Sequence, residues 1–135
     1  MTTYVQARTN IVGYLNLAFT TAYPTIPIFY ENTTQVDLAA QPDMFVIVEL
    51  NFVDTDRLVI DPTPLCESVG ELAVRIFARD GTGLATTLSM TDYLNTLMSH
   101  QQLSGVTMKT AFIGRKSVEV GWMITDLIVP YSFYQ

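Results

Sequence analysis

Two stretches of the chain, MFVIVELNFVD at 44–54 and ELAVRIFARD at 71–80, most narrowly limit what it can fold into. In the first, Val46, Val48, Leu50 and Phe52 alternate with Phe45, Ile47, Glu49 and Asn51. In the second, Leu72, Val74, Ile76 and Ala78 alternate with Glu71, Ala73, Arg75 and Arg79. Alternation of period two marks a strand with one buried face, because successive side chains leave a pleated backbone on opposite sides. Such strands need an apolar layer over their buried side.

Two helical segments supply that layer. Tyr4, Ala7, Ile11, Tyr14, Leu15, Ala18 and Ala22 recur at spacings of three and four, and Val5, Val12 and Phe19 widen the stripe. Thr3 and Gln6 form a capping box at its start, and Pro24 forces Tyr23 towards an extended conformation that closes it. After Asp80-Gly81-Thr82-Gly83, a strand-to-helix turn with Thr82 available as N-cap, Leu84, Leu88, Thr91, Leu94, Leu97 and Met98 repeat at helical spacing to about Ser99.

The remaining segments read as short or paired strands. PTIPIFYEN is too proline-rich for a central strand but allows a short edge strand from Ile28 to Tyr30, and a polar loop, NTTQVDLAAQPD, follows. Leu58 to Ile60 continues the first long strand or pairs with it. Val106 to Ile113 and Val118 to Val129 are expected as two long strands joined by a polar turn at Gly114 to Ser117, so an antiparallel hairpin ends the order of elements. The expected fold is one α+β domain over residues 1–135, a mixed, mainly antiparallel sheet of five or six strands with two helices packed on one face. Two helices cannot cover both faces, which leaves the other for subunit contact. The expected core joins Val46, Val48, Leu50, Leu72, Val74 and Ile76 to Ile11, Leu15, Leu88 and Leu94.

Composition bears on what such a domain does. Charged residues are 15% of the chain against about 25% in ordinary domains, and aromatics are 11%. Interfaces favour aromatics and exclude charge, so part of the surface is expected to be covered by partners rather than to be a neutral Thr- and Asn-rich monomer surface. Thirteen acids against seven bases argue against binding nucleic acid through a phosphate-neutralising patch. Cys66 stands alone, with no second cysteine for a disulfide and no Cys or His nearby for zinc. The start, MTTYVQARTN, has no basic flank before an apolar run, and no stretch approaches the roughly 20 apolar residues of a membrane span, so synthesis in a reducing cytoplasm is expected.

No catalytic constellation stands out. His100 falls where the second helix frays, with no acid or nucleophile at motif spacing, and nothing resembles the G-x-S-x-G elbow. Asp54, Asp56 and Asp61 lack the Gly and closing Glu of an EF-hand, and the DGTG turn lacks the G-K-[ST] of a phosphate loop. Asn32-Thr33-Thr34 matches a glycosylation sequon by accident in a cytoplasmic product. Trp122, alternating with Val120 and Ile124, is expected in the core. The expectation is therefore no enzyme, no cofactor and no metal.

Two features remain as candidate surfaces. Asp54, Asp56, Asp61, Glu67 and Glu71 stand against Arg57 alone, so this acidic loop carries a net -4 of the chain's -6. Tyr131, Phe133 and Tyr134 follow a strand-ending Pro130 as an aromatic tail, which either folds back or is held by a partner.

The order of elements and four stretches together resemble the tail terminator proteins of long-tailed phages with non-contractile tails. The stretches are Pro27 to Asn32 after the first helix, the strand Met44 to Leu50, the strand and turn Gly70 to Gly83, and Gly121-Trp122 running into Val129-Pro130-Tyr131. The resemblance covers nearly the whole chain and rests chiefly on element order. It implies a virion protein at the head-proximal end of the tail, forming a hexameric homo-oligomer ring that caps the tail tube protein, stops its polymerisation and presents a surface to the head-tail connector protein. DNA would pass through that ring, and the five acids would face its lumen or a partner. The alternatives are a connector or tail-completion subunit and, from another class, a small ligand-binding or enzymatic domain.

Overall fold

The computed structural model describes residues 2–31, 41–57, 65–81, 84–119 and 121–135. Helix α1 spans Tyr4–Ala22 and opens with the expected capping box: Thr3 Oγ1 accepts from the Gln6 N–H at 3.2 Å, and Gln6 Oε1 accepts from the Thr3 N–H at 2.9 Å. Its buried stripe is Ala7, Ile11, Leu15 and Phe19, one residue per turn. Tyr23 follows as C-cap, its N–H donating to the Phe19 carbonyl at 2.8 Å before Pro24 prevents continuation.

Strand β1 is Ile28–Tyr30 and runs parallel to β2, Met44–Arg57, at the edge of the sheet. Strand β3, Cys66–Arg79, returns antiparallel beside β2 from Met44↔Ala78 to Arg57↔Cys66. Helix α2 covers Ala85–Met98; β4 (Gln102–Leu103), β5 (Val106–Met108), β6 (Phe112–Glu119) and β7 (Trp122–Tyr134) complete the chain. The strands are ordered β1-β2-β3-β7-β5-β4, and β6 lies on β7 beside β5: Phe112–Glu119 takes the Trp122–Ile128 half of β7, Val106–Met108 the Tyr131–Phe133 part. The fold is thus α+β, a mainly antiparallel seven-stranded sheet among the described residues, with two helices.

Both helices lie on one face. Ile11, Leu15 and Phe19 of α1 and Met90, Leu94 and Met98 of α2 form one buried cluster with Val46, Val48, Leu50, Leu72, Val74, Ile76, Leu127, Val129, Tyr131 and Phe133. Tyrosine hydroxyls tie the helices together, Tyr14 donating to the Leu97 carbonyl at 3.2 Å and Tyr93 to the Ala18 carbonyl at 3.1 Å. Leu88 departs from the expected core. It is 38% exposed, and Thr87 and Met90 join the expected Thr91, Leu94 and Met98 in the buried stripe of a helix that begins at Ala85 with Leu84 as N-cap; the expected N-cap, Thr82, lies outside the described residues.

The outer face, which the sequence leaves for subunit contact, carries an aromatic cluster of its own. Phe45 and Phe77 stack at 4.5 Å, Trp122 meets Phe45 edge-on at 5.0 Å, and the Arg79 guanidinium lies 4.2 Å from the Trp122 ring centroid. Trp122 is buried as expected, but in this second cluster.

Two boundaries also differ. Gly114 to Ser117 lies inside β6, and the hairpin turns at Gly121, whose φ of +81 suits a residue without a Cβ. Pro130 does not end the last strand: β7 continues through it to Tyr134. The Lys109 N–H donates to the Pro130 carbonyl at 2.8 Å, while the Lys109 carbonyl, which a residue other than proline would use, accepts from His100 N–H at 3.4 Å. Leu58 to Ile60 lies outside the described residues.

Candidate functional site

The acidic segment is a two-stranded ribbon rather than a loop. Asp54 and Asp56 lie in β2, Glu67 and Glu71 in β3, and Asp61 lies outside the described residues. Residues paired across a ladder share a face. The register shifts between Phe52 and Asp54, so that Asp54 pairs with Val69 and Asp56 with Glu67, while Asn51 pairs with Glu71. One inserted residue, Val53, therefore moves Asp54 from the helix side of β2 to its outer face, where Glu67 and Glu71 already stand. Without that bulge Asp54 would follow Leu50 and Phe52 towards the helices.

The helix side of the ribbon is neutral and hydrogen-bonded. Thr55 Oγ1 lies 2.9 Å from Ser68 Oγ and 3.1 Å from the Tyr4 hydroxyl, and the Ser68 hydroxyl donates to Gln135 Oε1 at 3.0 Å. Phe52 is 43% exposed and packs edge-on against Tyr4 at 4.8 Å. The division into an acidic and a neutral face is thus set by backbone register, not by composition.

Of the aromatic tail, Tyr131 and Phe133 are buried inside the helix-side core, and Tyr134 remains exposed. The tail folds back as the last third of the central strand, paired with β3 from Glu67↔Tyr134 onward, so Tyr131 and Phe133 are out of a partner's reach. Burial pushes the Tyr131 phenol well above its ordinary pKa, and the charge of Glu31 adds to the rise.

Strand β6 is the surface that the expected turn concealed. It pairs with β7 along one edge, and every residue in it except Ser117 is exposed, including Phe112, Ile113 and Val118. Polar Arg115-Lys116-Ser117 after a glycine suggested a turn. The signal pointing the other way is Gly121 directly before the alternating run from Trp122, which places the reversal later. On the outer face Arg115 joins Arg75, Asp126 and Glu119 around a shallow hollow, where Arg75 pairs with Glu49 at 3.6 Å and Asp126 at 3.7 Å. A separate groove of about 300 Å³ lies between the helices, lined by Tyr14, Leu17, Ala18, Thr21, Ala22 and Tyr93.

His100 sits one residue beyond the C-cap of α2 in a left-handed conformation, φ +61, exposed, with Nε2 3.1 Å from Thr110 Oγ1. Among the described residues no three His, Cys, Asp or Glu side chains gather to hold a metal ion, and no helix is long and apolar enough to cross a membrane. The features that stand out are surfaces: an acidic ribbon face and an exposed edge strand.

No protein-family model and no curated protein matches the chain. Solved structures do. One, solved under a name that states no function, superposes with a TM-score of 0.70 at 15% identity over 94% of this chain and 92% of that chain. Another, from the virion of a native gene transfer agent particle, has a TM-score of 0.59 at 16% identity over 98% of this chain and 100% of that chain. At these identities the likeness shows the fold: nearly end to end, this chain is folded like a chain of a gene transfer agent virion.

Proposed function

We propose that the protein is a structural subunit of a phage-like particle and, within it, the tail terminator. Copies form a ring, hexameric in this reading, on the head-proximal end of the tail tube; the ring stops tube polymerisation and offers a surface to the head-tail connector. The observation that carries the reading is the likeness, over 98% of this chain, to a chain that is part of a gene transfer agent virion. The resemblance in element order supports the finer assignment. So do the low charge, 15% of residues, and the exposed apolar side chains on β6, which fit a protein that works in contact with others. The reading assigns no catalytic role to His100, the only histidine.

In a ring through which DNA passes, the acids on the outer face of the β2–β3 ribbon would repel phosphate. Fields of one sign inside a narrow channel are screened less than on an open surface, where the Debye length is about 8 Å at physiological salt. Glu67 and Glu71 are the residues best placed for that role.

The test is tail assembly with and without the protein, read by electron microscopy. Tubes are expected to overrun their normal length in its absence, and to stop with a ring at one end when it is added. Tubes of unchanged length with no end-bound density would overturn the assignment, and binding to isolated connectors but not to tube ends would favour a connector subunit.

A further inference from the structure

Among the described residues, strand β6 has a neighbour on its β7 side only, so its other side presents unpaired N–H and C=O groups. Val118 on that edge is 66% exposed. Beyond the register shift between Ile113 and Arg115 the pairing with β7 is regular, from Arg115↔Asp126 to Glu119↔Trp122. Arg115, Ser117 and Glu119 therefore stand on the outer face, with Trp122, Ile124 and Asp126, and Lys116 and Val118 on the helix side. Neither Arg115 nor Glu119 forms an ion pair among the described residues.

Cations normally keep an open edge from pairing. Here Glu119 supplies the opposite charge four residues after Arg115, and that spacing matters for a strand that meets a second copy of itself. Backbone N–H and C=O groups point to alternate sides along a strand, so antiparallel self-pairing is confined to registers that oppose residues of like parity. Each such register has its two-fold axis at one residue. An axis at Arg115 or Lys116 sets that cation against its own copy, and one at Val118 sets Ser117 against Glu119. An axis at Ser117 sets each Arg115 directly opposite the other copy's Glu119, two opposite-charge pairs on the outer face. On the helix side the same register lays the Lys116 stem of each copy over the exposed Val118 of the other.

We propose that β6 is a self-pairing edge, through which two copies of the chain join by antiparallel pairing of residues 115–119 about a two-fold axis at Ser117. The same patch serves on both copies, so the contact closes at two. It is distinct from the head-to-tail contacts of a ring, and it holds whether or not the chain caps a tail tube.

The full chain is measured by light scattering across concentration, without tail tubes, as wild type, Arg115→Glu, Glu119→Arg, the two variants mixed one to one, and the double variant Arg115→Glu with Glu119→Arg, each checked for wild-type unfolding. Wild type is expected to pass from monomer to dimer. Each single variant is expected to need about tenfold higher concentration or more, because both pairs across the axis become like charges. The mixture and the double variant restore opposite charges at both pairs and are expected to dimerise as wild type does. A cross-link fixes the register. In a Cys66→Ser background, Ser117→Cys sets two thiols opposite each other with Cα atoms about 4.5 to 5.5 Å apart, within disulfide reach, so copper phenanthroline should oxidise them to an intermolecular disulfide. Val118→Cys, which faces Lys116 rather than itself, should not cross-link. A wild-type chain that is monomeric at every concentration, single variants that dimerise like wild type, a double variant that stays monomeric, or equal cross-linking from positions 117 and 118 would overturn the pairing. None of these results bears on tube capping, which fails only in the tail-assembly experiment.

Discussion

Gly70 lies directly against the ring of Tyr131, whose hydroxyl donates to the Asn51 carbonyl at 2.9 Å across the sheet. A Cβ at position 70 would overlap both that carbonyl and the phenol. The glycine is what lets a buried tyrosine reach a backbone acceptor on β2. Gly70→Ala is expected to cost about 1 to 3 kcal/mol through overpacking, and Tyr131→Phe about 0.5 to 1.5 kcal/mol through the lost hydrogen bond. Urea unfolding of the two variants checks the order, and a wild-type midpoint for Gly70→Ala would contradict the close approach.

Leu94 and Leu88 separate the observed buried stripe of α2 from the expected one. Leu94→Ala should destabilise by about 2 to 5 kcal/mol, because its side chain is fully buried. Leu88→Ala, at a position 38% exposed, should cost under about 1 kcal/mol. Equal losses in unfolding experiments would place the helix in the wrong rotation.

How far the fold could be read from sequence follows from the range of the forces involved. Local patterns were legible: the Thr3–Gln6 capping box, the alternation in β2 and β3, and the stripe Ala7, Ile11, Leu15 and Phe19. The errors lie where distant pairing overrides local preference. Pro130 looked like a strand end, but its missing donor falls opposite a Lys109 carbonyl already taken by His100. The acids looked like a loop because turn-forming residues surround them, whereas β7 holds β3 extended as far as Cys66. Their common face depends on the bulge at Val53, which no residue pattern announces. The β6 edge was missed for the same reason, since Gly114 reads as a turn until Gly121 takes that role.

Alkaline pH should weaken the fold through two phenols. Burial raises the pKa of Tyr30 to about 12 and that of Tyr131 further still, so both are neutral in the folded state well above the ordinary value of 10.0. A raised folded pKa contributes stability that is complete below the unfolded value and lost as pH climbs from about 10 through the folded pKa. Unfolding midpoints are therefore expected to fall above pH ~10, and the Tyr30→Phe, Tyr131→Phe double variant to show a shallower fall. Identical slopes would mean that these phenols titrate as in the unfolded chain.

His100 holds a backbone conformation that L side chains adopt at a cost of roughly 1 to 2 kcal/mol. His100→Gly is accordingly expected to raise stability by up to about 1 kcal/mol and to leave assembly unchanged. Loss of function with folding and oligomer mass intact would reopen the enzymatic alternative.

Glu67→Lys combined with Glu71→Lys probes the outer face of the ribbon. Rings are expected to form normally, and DNA ejection to slow as phosphate meets a basic lining. Unchanged ejection kinetics at low salt would assign these acids to solvent.

Strand β7 is flanked along its length by β3 on one side and by β5 and β6 on the other, and it is synthesised after all of them. The β2–β3 ribbon can close early because its partners are near in sequence, but β3 then waits with an open inner edge until a strand more than forty residues later arrives. Native pairings of long range make folding slow, and an apolar edge exposed in the meantime can capture another nascent chain. Substitutions that delay β7, such as a second proline in it, should therefore lower the yield of soluble protein more than they lower the stability of the molecules that finish folding.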